Sequence, residues 1–243
     1  MHVTFGPKVF QRGGPTLFEL LRQAMTSTEH GYDLLAPKFD RTPFRTPEPI
    51  VRALAERVGP VGSALDVCCG TGAAAEALCA FCTDRVVGVD SSAGMLAVAA
   101  ERGSCAEFVR ADARDLPYEH EFDAAVCTGA FGHIERRDEP RFLASIARAL
   151  RPGGRFVFPT SEVPPAWSPT RLAAEAFNAA MRVRNAVFSP EFVMYYLTFS
   201  WPEVRGRLLA AGFVEVEVVR GAIAPPFERV LVVTAWTQVG SRP

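Results

Sequence analysis

Three carboxylates, Asp66, Asp90 and Asp112, each close a short apolar run. Between the first two lies Gly70-Thr71-Gly72, followed by an alanine-rich stretch through Ala75. A glycine turn after an apolar strand lets a ligand approach the backbone, because no Cβ stands in the way. Gly70, Gly72 and Ala75 fit the G-x-G-x-x-A dinucleotide fingerprint. Asp90 lies twenty residues after Gly70, where a carboxylate can accept from both hydroxyls of a ribose. So far the pattern suits NAD and any other adenosine-containing ligand equally. Asp66, four residues before Gly70, separates them, because a carboxylate there repels a pyrophosphate and attracts an ammonium group. Asp112 can accept from an adenine amino group.

His133 follows the fourth strand-like run, beside Phe131 and Ile134, and is the best-placed general base. It also reads as a histidine that shapes a pocket wall. The aromatic-rich FSPEFVMYYLTFSW holds Tyr195 and Tyr196 and suits a small, partly apolar substrate. Cys79 and Cys82 form a C-x-x-C without a second ligand pair, so no metal site is expected and the cysteines read as core packing.

The elements that must position these groups alternate. Thr46 reads as an N-cap with Pro47 in the first turn of a helix running to Gly59. ALDVC, RVVGVD, AEFVRAD, EFDAAVCTG and RFVF read as strands, with helices over 72–82, AGMLAVAAER and PRFLASIARAL between them. WPEVRGRLLAAGF reads as a helix before two last strands, FVEVEVV and RVLVVTAW, at the sheet edge. This alternation predicts an α/β, doubly wound, Rossmann-like fold: a mostly parallel seven-stranded sheet with an antiparallel edge strand. Residues 1–243 read as a single domain with a helical cap from segments at about 1–45 and 160–200. Thr16 and Glu19 form a capping-box pattern that opens a helix in the first of these.

The formal net charge of -1 gives no basic excess, so no nucleic-acid partner is expected. The amino terminus has no signal-peptide-like apolar region, and no apolar run reaches membrane-spanning length. A cytoplasmic protein without a membrane partner is the expectation.

Residues about 46–160 resemble the class I S-adenosylmethionine-dependent methyltransferases, with a core like that of the quinone-biosynthesis members. The resemblance rests on Asp66-Val67-Cys68-Cys69-Gly70-Thr71-Gly72, Asp90 with SSAGML, Asp112, and LRPGG before the fifth strand. It implies S-adenosylmethionine as cofactor and in-line methyl transfer to a small molecule. It places Asp66 toward the methionine amino group, Asp90 and Ser91 at the ribose, and Met95, Asp112 and Ala113 at the adenine. CTGAFGH, with Thr128, Phe131 and His133, passes near the methionine end, and HGYDLLAPKFD brings Tyr32 to the methionine carboxylate and Phe39 to the cavity. Thr71 serves either the ligand or the turn. Cys68 stands where the family has glycine, so a negative φ or a strained backbone is expected there, with the thiol turned from the ligand. An NAD-dependent oxidoreductase and a non-catalytic S-adenosylmethionine-binding or interaction protein are the rival readings.

Overall fold

The computed structural model describes residues 13–240. Seven strands pair into one sheet: β1 (Val61–Val67), β2 (Cys82–Asp90), β3 (Glu107–Arg110), β4 (Phe122–Val126), β5 (Leu150–Thr160), β6 (Phe213–Val219) and β7 (Leu231–Thr237). Their order is β3-β2-β1-β4-β5-β7-β6. The first five run parallel, as their near-continuous apolar runs predict for strands buried on both faces. β7 is antiparallel to β5 and to β6, so the chain inserts it between β5 and the edge strand. The order reverses between β1 and β4, and the crevice beyond that point is where open α/β sheets bind ligands.

Helices cover both faces. α3 (Glu48–Val58) and α4 (Ala73–Leu78) join one apolar layer through Val51, Leu54, Val58, Ala75 and Leu78. α6 (Glu139–Ala149) and α8 (Glu203–Ala210) join the other through Phe142, Leu143, Ile146 and Leu208, against Phe156 and Phe158. α5 (Ala93–Glu101) starts at Ser92, whose hydroxyl accepts from the Met95 N–H. Ahead of this core lie α1 (Leu17–Ala24), α2 (Thr28–Leu35) and a 3-10 turn over Ala36–Arg41. α7 (Pro169–Val187) follows β5. The capping box at Thr16 and Glu19 forms as its sequence predicts. The first twelve residues of the expected cap segment lie outside the described residues.

Four local expectations fail, each for a tertiary reason. The helix expected over 72–82 ends at Leu78, because the chain must reverse in time for Cys82 to start β2. Thr46 does not cap α3; its hydroxyl donates to the Thr128 carbonyl across the site at 3.1 Å. Cys79 is not plain packing but is disulfide-bonded to Cys105, because β2–β3 pairing brings the end of α4 to the loop before β3. Cys68 adopts φ 56, not a negative value. The turn leaving β1 needs a left-handed residue there, the conformation a glycine would supply more easily.

Candidate functional site

A cavity of about 780 Å³ opens beyond the carboxyl ends of β1 to β4. Its floor is the glycine turn, Asp90-Ser91, Arg110 to Arg114 and Thr128 to Ala130; its walls include Tyr32, Phe39, Phe44 and Val193.

The glycine turn is built by three left-handed residues, Cys68, Gly70 and Gly72. The Cys69 N–H donates to the Val89 carbonyl, which extends the β1–β2 ladder by one step. The Gly70 N–H donates to Asp90 Oδ2 at 2.9 Å, and the Ser92 N–H donates to Asp90 Oδ1 at 2.9 Å. Asp90 is thus oriented at the cavity wall by two backbone donors. Burial pushes its pKa up, and those same N–H groups oppose the rise. A Cβ built on Gly70 meets nothing within 4 Å, so the space above the turn is open to a ligand.

Asp66 lies beneath the turn, fully buried, and not on the cavity wall. Its Oδ2 accepts from the Ala75 N–H at 2.8 Å, while Oδ1 has no partner among the described residues. Burial pushes the carboxyl up to about 8. Ala75 is the third residue of α4, so Asp66 already occupies the helix N-terminus on which a pyrophosphate would sit. That occupancy argues against a dinucleotide.

Asp112 is on the wall but is not a lone carboxylate. Arg114 grips it, with Nη2 at 2.8 Å from Oδ2 and Nε at 3.0 Å from Oδ1, and holds its pKa below the usual range. Ser91, Met95, Ala113 and Thr128 also line the cavity. The Thr71 hydroxyl donates to Asp40 Oδ1 at 2.7 Å, tying the turn to the amino-terminal segment. Cys68 lines the wall, and contact of its thiol with buried Cys127, with burial, raises its pKa well above that of a free thiol. Gly72 lies behind the wall, its N–H donating to the Cys69 carbonyl.

At the far side of the cavity Tyr32 Oη lies 2.7 Å from His133 Nε2, and His133 Nδ1 lies 2.6 Å from the Val193 carbonyl. A carbonyl only accepts, so Nδ1 carries the proton and Nε2 is the acceptor. Tyr32 therefore donates to His133. Burial lowers the His133 pKa; the carbonyl partner opposes this. Burial, followed by the charge of Asp90, raises that of Tyr32. The resting pair is a neutral imidazole and a protonated phenol. Phe39 packs edge-on to Tyr32, with ring centroids 6.0 Å apart.

Three residues expected at the substrate stand off the wall. Phe131 is buried in an aromatic cluster, 4.5 Å from the Phe199 ring by centroids. Tyr195 supports the wall through its backbone, its N–H donating to the Gly132 carbonyl at 2.7 Å. Tyr196 packs against Phe177, and Asn178 takes both its backbone N–H and its carbonyl. The cavity's aromatic lining comes instead from Tyr32, Phe39 and Phe44. Phe44, Arg45, Thr46 (read only as a helix cap) and Val193 are wall residues without a site role in the sequence reading. The only local signal for the first three is their place in the link between the cap helices and α3.

Fold and cavity together define an α/β protein with a ligand crevice at the switch point of its sheet, floored by a glycine turn and an oriented carboxylate. Residues 64–154 match the family model of a methyltransferase domain. The chain is 36% identical over 183 residues to a demethylmenaquinone methyltransferase of Clavibacter sepedonicus, covering 68% of this chain and 71% of that one. It is 39% identical over 102 residues to the chloroplastic 2-phytyl-1,4-beta-naphthoquinone methyltransferase of Arabidopsis thaliana, covering 37% and 38% of the two chains. Among solved structures, a Thermotoga maritima S-adenosylmethionine-dependent methyltransferase, a possible histamine N-methyltransferase, superposes with a TM-score of 0.62 at 18% identity, over 87% of this chain and 100% of that one. A Haemonchus contortus N-methyltransferase solved with phosphomonomethylethanolamine and S-adenosylhomocysteine gives 0.58 at 20% identity, over 78% and 52%. The chain belongs to the class I S-adenosylmethionine-dependent methyltransferases. S-adenosylmethionine is its methyl donor.

Proposed function

We propose that this enzyme methylates the ring of a small dihydroxy-aromatic acceptor of the naphthoquinol type, and that Tyr32 and His133 take up the proton the acceptor loses. The relatives named for demethylmenaquinone and for 2-phytyl-1,4-naphthoquinone support the acceptor class. The Tyr32–His133–Val193 chain carries the mechanistic reading.

The residues present fit the donor. The open space above Gly70 and the oriented carboxylate of Asp90 suit an adenosine, and the unpartnered Oδ1 of Asp66 lies beneath the turn, off the cavity wall. In this reading Asp90 and Ser91 hold the ribose and Met95 packs on the adenine. Asp112 and the Ala113 N–H read the ring edge. Thr71, Cys68 and Thr128 bound the methionine part. Asp66, in its acid form when the site is empty, charges as an ammonium arrives above the turn. Bound S-adenosylmethionine supplies an activated methyl group on a sulfonium.

The protein therefore has to align the acceptor and remove a proton. A ring hydroxyl of the acceptor donates to Tyr32 Oη while Tyr32 passes its own proton to His133 Nε2. The imidazolium formed keeps its Nδ1–H on the Val193 carbonyl. The proton leaves the hydroxyl and the ring gains nucleophilic electron density at carbon. Once that carbon is methylated, its hydrogen leaves as a proton, which restores the hydroxyl and the aromatic ring. Phe39 and Phe44 exclude water from the acceptor.

The test is transfer of labelled methyl to a reduced, short-tailed naphthoquinol. The His133→Gln and Tyr32→Phe chains are expected to lose about a hundredfold in turnover or more, with S-adenosylmethionine affinity held within about threefold. Wild-type turnover of naphthoquinol no higher than background sinks the acceptor class. Unchanged turnover in both variants sinks the proton path.

A further inference from the structure

Two cap helices, α1 and α7, are turned inside out. α1 buries Gln23 while Leu17, Phe18, Leu21 and Met25, spaced along one face, point to solvent, with Phe18 75% exposed. α7 buries only Asn178, and its exposed side carries Leu172, Val183 and Val187 at helical spacing, with Phe188 just beyond. Trp167, 83% exposed, precedes it. Soluble helices hold such stripes inward, so a continuous outward stripe marks a binding surface.

The carboxyl ends of the two helices are linked through the segment that follows α1. Arg184 Nη2 donates to the Thr26 carbonyl at 3.4 Å, bringing the end of α7 beside Met25, and the Val193 N–H donates to the Thr28 hydroxyl at 2.8 Å. Thr28, Glu191 and Val193 line the cavity. The apolar surface is therefore continuous with the cavity rim.

We infer that this face of the cap, α1 with the carboxyl-terminal half of α7, docks on a lipid bilayer and opens the cavity to an acceptor held there. The inference rests on the acceptor proposed above, since a quinol with a long hydrocarbon tail resides in a bilayer. Charge favours this occupant. Arg22 and Arg182 flank the apolar residues, and neither has an acidic partner within 4 Å among the described residues. The twelve residues ahead contain Lys8 and Arg12 and no acidic residue. Lys and Arg beside an apolar face suit anionic headgroups, and exposed Trp and Phe suit the headgroup level. Among the described residues no helix is long and apolar enough to cross a membrane, so the contact is one of lying on the surface.

The test is co-sedimentation of the full chain with phosphatidylcholine vesicles, with and without phosphatidylglycerol. Wild type is expected to bind, more tightly with phosphatidylglycerol. The double variant Phe18→Ser, Leu21→Ser is expected to bind about tenfold more weakly or worse. It keeps S-adenosylmethionine binding and turnover of a water-soluble naphthoquinol, which also shows that it folds. A control pair, Val214→Ser and Val239→Ser, removes exposed apolar surface elsewhere and is expected to leave vesicle binding unchanged. Failure of wild type to bind vesicles, or equal binding by the double variant, overturns the inference. So does a dimer in solution that the double variant dissolves, with no vesicle binding. If soluble naphthoquinol is not methylated while vesicles are bound, the acceptor reading falls and the docking surface stands.

Discussion

α6 and α1 are both amphipathic, and the two are packed in opposite senses. α6 sends Phe142, Leu143, Ile146 and Ala149 into the layer under β4 and β5. α1 sends Gln23 inward and leaves its apolar stripe outside. α7 shares this inversion: the Asn178 amide pairs with the backbone N–H and carbonyl of Tyr196 as a neighbouring strand would. The core is thus held by apolar burial, and α1 and α7 by a capping box, amide pairing and ion pairs such as Lys38–Glu19 at 2.6 Å. A region held that way gives up less stability when it shifts, which suits a cover over a site that must admit two ligands.

The contrast is sharpest in paired truncations. Phe142→Ala is expected to cost about 3–5 kcal/mol in denaturant unfolding, and Phe18→Ala no more than about 0.5 kcal/mol. Comparable losses would show that α1 packs on something in solution. The next effect is catalytic. Because burial holds His133 below its ordinary value, turnover is expected to stay flat from neutral pH upward and to fall in acid as the imidazole protonates and ceases to accept from Tyr32. A rise in turnover on acidification would mean that the imidazolium is the working form. Asn178→Leu leaves two backbone groups of Tyr196 without their partner and is expected to cost about 1–3 kcal/mol, despite adding apolar surface. A stabilised Leu variant would break the account of how the cap is held.

The last effect is a slope, read against pH. Asp66 is held up to about 8 in the fold against an ordinary value of 3.8, so the folded state binds the extra proton between those limits. Wild-type stability is therefore expected to decline as pH rises from about 4 to about 8. Asp66→Asn, which still accepts from the Ala75 N–H, is expected to lack that decline, with its margin over wild type widening toward pH 8. Parallel curves in thermal unfolding would show that Asp66 is charged in the empty fold.

Much of the core was legible because parallel strands buried on both faces must be apolar runs, and those runs end at the residues that meet the ligand crevice. Asp90, Ser91, Met95, Asp112 and Ala113 stand on the cavity for that reason. Thr16 and Glu19 were legible because a capping box is a local hydrogen-bond pattern. What escaped depends on distance along the chain. Tyr32 and His133 are 101 residues apart and meet only when the cap closes on the β4 loop. Cys79 and Cys105 are 26 apart and meet through β2–β3 pairing. Tyr195 and Tyr196 carry suitable side chains, yet Tyr195 meets Gly132 beside the site through its backbone and the backbone of Tyr196 pairs with Asn178 of α7.

By itself the sequence determined the α/β alternation, the glycine turn and the order of the acidic residues, because periodicity and strand-end position are local properties. It also determined that α1 and α7 have an apolar side. Only the tertiary structure decided where that side faces, since burial depends on what the rest of the chain leaves uncovered. The same holds at Cys68: the side chain is that of a small core residue, but the path from β1 back to Asp90 imposes a left-handed backbone that the residue type alone would not choose.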